Sequence, residues 1–298
     1  MNIDYKATEL FSDYLDGDTS IDNVWETEAY KTIRLHADKL GGGLKKEQIV
    51  KAVEGENTGY YGVADLKENI DEIRNLIDEI KNNEKKWLKT IKEELDRVVP
   101  EEYKDDITIH PVFGFDIGIG LNDNVCINLN EQLFFDDPKE FMFIALHECS
   151  HVLYDRIHDF QSIDKVRSTE ERITFFRTFF QTEGYAVYTP LNKRQMDEMK
   201  NLDHSIMKDY QIISDESKIK KSVKKYDKLG EELKKSGAWT LEKYMKKCFG
   251  QERLAYRVGG TLIKKIEEKE GMSVVRDGFY KDPDDFAEEF DWILDEYR

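Results

Sequence analysis

Phe141-Met142-Phe143-Ile144-Ala145-Leu146-His147-Glu148-Cys149-Ser150-His151-Val152-Leu153-Tyr154 is the stretch on which the reading of this chain turns. Inside it, His147-Glu148-Cys149-Ser150-His151 is an H-E-x-x-H. Residues four apart on a helix lie on one face, one above the other, so His147 and His151 aim two imidazoles at one point. Neutral imidazole is a good zinc ligand, and the carboxylate of Glu148 beside the metal can take a proton from water. Asp137-Pro138-Lys139-Glu140 predicts the helix start: Asp as N-cap, Pro at the first helical position, Glu three residues after the cap. The turns that follow are almost wholly apolar, which predicts a buried helix. Cys149 and Ser150 are small and uncharged, as such a helix needs, because a charge there would be buried without a partner. The competing reading is a buried helix with two satisfied histidines and a salt-bridged Glu.

With 298 residues, the chain is long enough for one large domain or two. Hydrophobic residues make up 39% and charged residues 36%, the balance of a soluble, highly charged globular protein. A net charge of −17 argues against nucleic-acid backbones and anionic membrane surfaces as partners. Cys126, Cys149 and Cys248 are sparse and odd in number, so no disulfide framework is expected and a reducing compartment fits. Met1-Asn2-Ile3-Asp4-Tyr5-Lys6 contains no apolar run, and no stretch approaches the roughly 20 apolar residues of a membrane span. A cytoplasmic location is therefore expected.

Residues 1 to about 100 read as helical. Ile21 to Leu40 is expected to form an amphipathic helix, with Val24, Ala29, Ile33 and His36 near one face, ended by Gly41-Gly42-Gly43. A short helix from Lys45 to Val53 and a loop from Gly55 to Gly62 follow. Leu66, Ile70, Ile73, Ile77 and Ile80 recur at helical spacing, and Trp87 or Leu88, Ile91, Leu95 and Val98 continue the pattern to Pro100. That predicts a helical hairpin or one long bent helix, packed in the core. The character changes at Asp106. Ile107–Phe115, Ile117–Leu121 and Val125–Leu129 read as strands, with Asn122-Asp123-Asn124 as a turn, which predicts a small antiparallel sheet just before the H-E-x-x-H helix. An exposed strand edge there could hold an extended peptide by main-chain hydrogen bonds. After a polar loop over Asp155–Arg167, Ser168-Thr169-Glu170-Glu171 is a capping box opening an apolar helix that ends near Pro190. Charged helices are expected over 191–236, then helices over Gln251–Lys269 and Pro283–Tyr297.

A catalytic zinc site takes three protein ligands and keeps one open position. Glu183 is the candidate for the third ligand. It is an acid in an otherwise apolar, aromatic helical stretch, where a lone carboxylate is costly unless paired or bound to metal. Gly184 and Ala186 are small enough to let two helices close around an ion. The alternative is a buried Glu paired with Arg172, Arg177 or another base. His158 is the rival ligand, but it stands one position beyond the spacing of the other zincin pattern, and Tyr154 occupies the glycine position. His36 and His204 read as surface or packing histidines.

His147-Glu148-Cys149-Ser150-His151 followed by Glu183-Gly184-Tyr185-Ala186-Val187-Tyr188 resembles the gluzincin metallopeptidases. It is most similar to uncharacterised zinc-dependent proteases carrying H-E-x-x-H and a downstream E-G-x-A-x-Y, over roughly residues 105–290. The resemblance implies one zinc ion per chain, bound by His147, His151 and Glu183, with Glu148 as general base. The thermolysin branch of that clan has an Asp four residues after the ligand Glu. Here that position is Val187, so the supporting partner of the histidines is open and thermolysin-like specificity is not implied. Gluzincins also supply a Tyr or His from a later segment to the oxyanion. In Arg253-Leu254-Ala255-Tyr256-Arg257-Val258-Gly259-Gly260 the candidate is Tyr256, with Arg257 and Tyr185 as alternatives and His110 as a weaker one.

The expected fold class is α+β, mainly α, a zincin-like metallopeptidase. A helical region over 1–104 is expected to pack on a catalytic region over 105–298, with a single domain as the alternative. The expected activity is zinc-dependent hydrolysis of a peptide or protein substrate. Two rivals stand: a zinc hydrolase of small amides, and a non-catalytic helical binding protein with a relict metal site.

Overall fold

The computed structural model of the chain describes residues 1–298 except 40–41, 57, 59, 61, 64, 100–105, 159–165, 197–202, 236–240 and 251. Gly41 of the expected glycine stop, parts of the 55–62 and 155–167 loops, and part of the charged 191–236 segment lie outside the described residues, while Gly43 of that stop takes left-handed backbone with a φ of 56°. Two units are defined, residues 1–93 with 102–152, and residues 94–101 with 153–298.

The first unit begins with β1 (Asn2–Ile3), followed by α1 (Lys6–Asp16), α2 (Ile21–Trp25), α3 (Glu28–Lys39) and α4 (Lys46–Val53). The single helix expected over Ile21–Leu40 is thus two. Thr27 makes the break: its Oγ1 donates to Val24 O at 2.7 Å and accepts from Tyr30 N at 3.4 Å. A hydroxyl that bonds nearby backbone offers the chain an alternative to continuing the helix. The long pattern that follows is one uninterrupted helix, α5 (Ile70–Val98). Ile73, Leu76, Ile80, Trp87, Ile91, Leu95 and Val98 are its buried stripe. Leu76 is buried and Ile77 only half-buried, and Trp87 rather than Leu88 faces inward.

Next come β2 (Thr108–Val112), β3 (Gly118–Leu121), β4 (Asn124–Asn128), α6 (Gln132–Asp136) and α7 (Lys139–Asp155). The sheet differs from the antiparallel arrangement expected. It is four-stranded and mixed, in the order β1-β2-β4-β3, with β1–β2 and β2–β4 parallel and only β3–β4 antiparallel. The reason is local. Gly114 and Phe115 both take left-handed backbone, with φ of 86° and 74°, and Asn128 Oδ1 accepts from Gly114 N at 2.8 Å. This corner carries the chain past the neighbouring position, so β3 returns on the far side of β4. Leu121 pairs with Asn124, which leaves Asn122-Asp123 as a two-residue turn; Asn122 has a φ of 53°, a conformation asparagine tolerates better than most residues.

The register assigns faces. Cys126 pairs with Ile119, and its thiol donates to Ala29 O of α3 at 3.5 Å. Ile119 and Cys126 therefore face α3, and residues alternate along a strand, so Gly118 and Gly120 face the other way. Asp137 opens α7 as expected, with Oδ1 accepting from Lys139 N at 3.2 Å. The last turn of α7 belongs to the second unit.

The second unit is helical: α8 (Thr169–Met196), α9 (Ser205–Ile213), α10 (Glu216–Lys234), α11 (Leu241–Cys248), α12 (Leu254–Glu270), α13 (Met272–Phe279) and α14 (Pro283–Phe290), then a 3-10 segment, Asp291–Tyr297. The expected capping box is formed at the start of α8. Glu171 N donates to Ser168 Oγ at 3.1 Å, and Ser168 N donates to Glu171 Oε2 at 2.8 Å. α8 packs on α12 through backbone. A Cβ on Gly184 would stand 2.8 Å from Gly259 C, and one on Gly259 would stand 2.9 Å from Gly184 Cα and collide with Phe180 O. Gly260 makes the same kind of contact, with a Cβ position 2.8 Å from Val187 Cγ1.

Gly259→Ala is therefore expected to force α8 and α12 apart and destabilise the fold by about 1–3 kcal/mol or more, the usual penalty of overpacking. Urea unfolding followed by circular dichroism checks this, with Gly230→Ala as control, because a Cβ at Gly230 meets nothing within 4 Å.

Candidate metal centre

In the first unit, α7 lies against a strand face without side chains. A Cβ on Gly118 would stand 2.8 Å from Cγ and Oε1 of Glu148 and 2.9 Å from Ile144 Cγ2. On Gly120 it would stand 2.6 Å from Glu148 O and 3.1 Å from Val152 Cγ2. Only glycine at both inward positions lets β3 come this close. Glu148 is thus buried between its own helix and a bare strand. Its charge is also one of the influences, after burial, that push the Cys126 thiol far above its usual range.

One turn apart on α7, the Nε2 atoms of His147 and His151 converge to 3.2 Å. Two nitrogens held about 2.05 Å from a tetrahedral zinc would be about 3.3 Å apart, so the pair fits as two ligands of one ion. The rings are half-buried and meet edge to face at 4.9 Å between centroids.

In the second unit, Glu183 is buried on α8 beside the Gly184–Gly259 contact. Its charge contributes to raising the pKa values of Tyr244, Cys248 and Arg253, so α11 and the start of α12 lie within its electrostatic reach; burial is the main influence on Tyr244 and Cys248. Arg177, a candidate for its structural partner, binds Asp284 at 2.7 Å instead. Arg172 donates through Nη2 to Arg167 O at 3.2 Å. Tyr154, on the last turn of α7, donates to Gln181 Oε1 of α8 at 2.7 Å. Among the described residues, His147, His151 and Glu183 form the group of histidine, cysteine and acidic side chains able to hold a metal ion.

The other candidates are placed as follows. His110 is buried on β2, with Nε2 2.8 Å from Asn124 Oδ1 and Nδ1 3.5 Å from Asp4 Oδ2, so both ring nitrogens are engaged. Tyr185 is fully buried and donates to Val275 O at 2.7 Å. His158 stacks on Tyr154 and meets Phe279 O through Nε2 at 2.8 Å. His204 caps α9, Nδ1 accepting from Ile206 N at 3.3 Å. Tyr256 lies under Arg253, whose Cζ is 3.9 Å from the ring centre, and edge-on to Phe249. Arg257 is held by Asp209 through Nε at 2.7 Å and by Glu252 O through Nη1 at 2.9 Å.

Asp209 organises this end of α12. It is buried and accepts from Arg253 Nε at 2.5 Å as well as from Arg257. Burial raises its pKa, and the two guanidinium groups oppose that rise. Arg253 is fixed in the left-handed region, with φ 43° and ψ 44°, as the residue before α12. A non-glycine residue is held there only when its surroundings over-determine it.

Sequence reasoning overlooked Gly118, Gly120 and Asp209. The glycines had a signal: Ile117-Gly118-Ile119-Gly120-Leu121 alternates, which is the mark of a strand with one bare face. Asp209 had none, because its partners are remote in sequence.

A model of the family described as "Putative zinc dependent peptidase (DUF5700)" matches residues 21–293, and the chain belongs to that family. No curated protein matches the chain, and no solved structure does. Family and donor set together suggest a zinc ion.

Asp209→Ala leaves two guanidinium groups in a largely buried site without their counter-charge. A loss of about 3–5 kcal/mol is expected, as for breaking a buried pair from one side. Equilibrium unfolding in urea measures it.

Proposed function

We propose that this chain is a zincin-like peptidase of gluzincin type, with His147, His151 and Glu183 holding one zinc ion. The observation that carries the reading is the convergence of the two Nε2 atoms at 3.2 Å beside a Glu148 seated on a bare strand face. Membership of a zinc-dependent peptidase family supports it independently.

Zinc in this site would supply Lewis acidity toward a water and a scissile carbonyl. The remaining work falls to the protein. Glu148 takes the proton of the attacking water and hands it to the leaving amine. Its position follows from Gly118 and Gly120, whose lack of side chains admits the carboxylate against β3. β3 is one of the two edge strands of the sheet among the described residues, and a peptide laid along its outer side would be held by main-chain hydrogen bonds. Tyr256 donates its hydroxyl to the developing oxyanion. Its ring is braced by Arg253, which Asp209 holds.

Mass spectrometry of purified protein is expected to find about one zinc per wild-type chain and clear loss in Glu183→Ala, as removal of one of three ligands requires. Absence of zinc from the wild type after zinc is supplied would overturn the reading. Glu148→Gln is expected to retain zinc and lose peptide cleavage by a factor of about 10² or more. Retained cleavage in that variant would remove Glu148 as general base.

Gly118→Ala should leave zinc content intact and lower kcat by about tenfold to a hundredfold, because the new methyl displaces the Glu148 carboxylate. Steady-state kinetics on a quenched fluorescent peptide tests this, and an unchanged kcat would contradict it.

A further inference from the structure

Within the second unit, α8, α10, α14 and the 3-10 segment with Arg298 after it enclose a cavity of about 610 Å³. That volume lies in the range of ligand clefts. Phe176 and Leu233 are buried in its wall, and Ile173 and Ala287 are half-buried there. Glu231, Glu288, Trp292 and Asp295 line it as well and are exposed, so the cavity opens to solvent.

The charges around the cleft do not balance. Arg298 is shared by three carboxylates, Asp227 at 3.1 Å, Asp291 at 2.7 Å and Asp295 at 2.6 Å. Arg177 is shared by Asp284 at 2.7 Å and Glu288 at 3.9 Å, and Lys234 pairs with Glu231 at 2.9 Å. Three cations thus face six carboxylates, and the cleft has room for further positive charge. Trp292 adds an aromatic surface. It is 49% exposed, and its side chain forms part of the lining. Indole attracts cations through its ring face, and Lys269 Nζ already stands 5.2 Å from this ring centre.

Gly230 lies in the body of α10 and also lines the cleft. Glycine inside a helix costs about 1 kcal/mol relative to alanine. The packing of α10 does not require it, because a Cβ at Gly230 meets nothing within 4 Å among the described residues. What the missing side chain does is keep that part of the cleft clear.

We propose that this cleft binds a segment of another polypeptide that carries a lysine or arginine next to an aliphatic or aromatic residue. The basic head supplies the charge that the surrounding acids lack. Its methylene stem and the neighbouring apolar side chain lie on Phe176, Leu233 and the Trp292 ring. An acidic segment meets repulsion instead, and a small inorganic cation makes no use of the apolar wall. The cleft lies wholly in the second unit and uses none of the residues assigned to zinc or to catalysis, so the proposal does not rest on the peptidase reading.

The test uses the full chain, zinc supplied, as Glu148→Gln so that no peptide is cleaved. Two pools of short peptides carry a neutral fluorophore: one has Arg or Lys beside Leu or Phe, the other has Glu in place of the basic residue. Binding is read by anisotropy, with melting temperature measured for every variant. The basic pool is expected to bind at least about tenfold more tightly than the acidic pool, with affinity falling as salt rises. Gly230→Leu, which fills the cleft, and Trp292→Ala should each weaken binding of the basic pool by about five- to tenfold, as for loss of a central contact. Asp227→Asn with Asp295→Asn should weaken it and flatten the salt dependence. No binding of the basic pool, equal binding of both pools, or unchanged affinity in folded Gly230→Leu overturns the proposal. Losses that only track a lowered melting temperature in all three variants overturn it too. Free spermidine displacing the basic peptides at equal concentration makes this a small-amine site and overturns the polypeptide assignment. A wild type that binds the basic pool in this way but cleaves no peptide overturns the peptidase reading alone.

Discussion

The approach of β3 to α7 is the constraint on which the centre depends. A helix and a strand normally keep their distance through the side chains between them. Here the strand has none on its inward face: Gly118 and Gly120 leave space that Glu148 and the backbone of α7 occupy. A carboxylate buried in this way is placed by its surroundings and not by its own rotamer preference, which is what a positioned general base requires. Strand alternation makes this possible at little cost to the sheet, because Ile119 and Leu121, between and beside the glycines, remain buried.

The second unit uses the same device for another purpose. Gly184 and Gly259 bring α8 and α12 into backbone contact next to Glu183. Nearby, Asp209 sits between Arg253 and Arg257, and Glu183 adds its own charge to the surroundings of Arg253. Arg177 is committed to Asp284. The left-handed Arg253, stacked on Tyr256, shows strain stored at the entry to α12, where the surrounding ion pairs hold it.

Local signals were read accurately where the physics is local. The Asp137 cap, the Ser168–Glu171 capping box, the stripe of α5 and the convergence of His147 and His151 all follow from helix geometry within a few residues. The differences have both local and remote causes. Thr27 broke an expected helix through a short-range hydroxyl bond that competes with helix continuation. The sheet order escaped because the left-handed corner at Gly114-Phe115 carries β3 past β2, and because Asn2–Ile3 joins from the other end of the sequence.

By itself, then, the sequence determined the chemistry on offer: two imidazoles one helical turn apart, a carboxylate between them, and an isolated acid in a later apolar helix. Those are consequences of a 3.6-residue period and of the cost of burying charge. Only the tertiary structure decided which strand flanks Glu148 and which arginines surround Asp209. Such choices depend on contacts between residues far apart in the chain, and their energies are set by side chains meeting in space, which no local periodicity encodes.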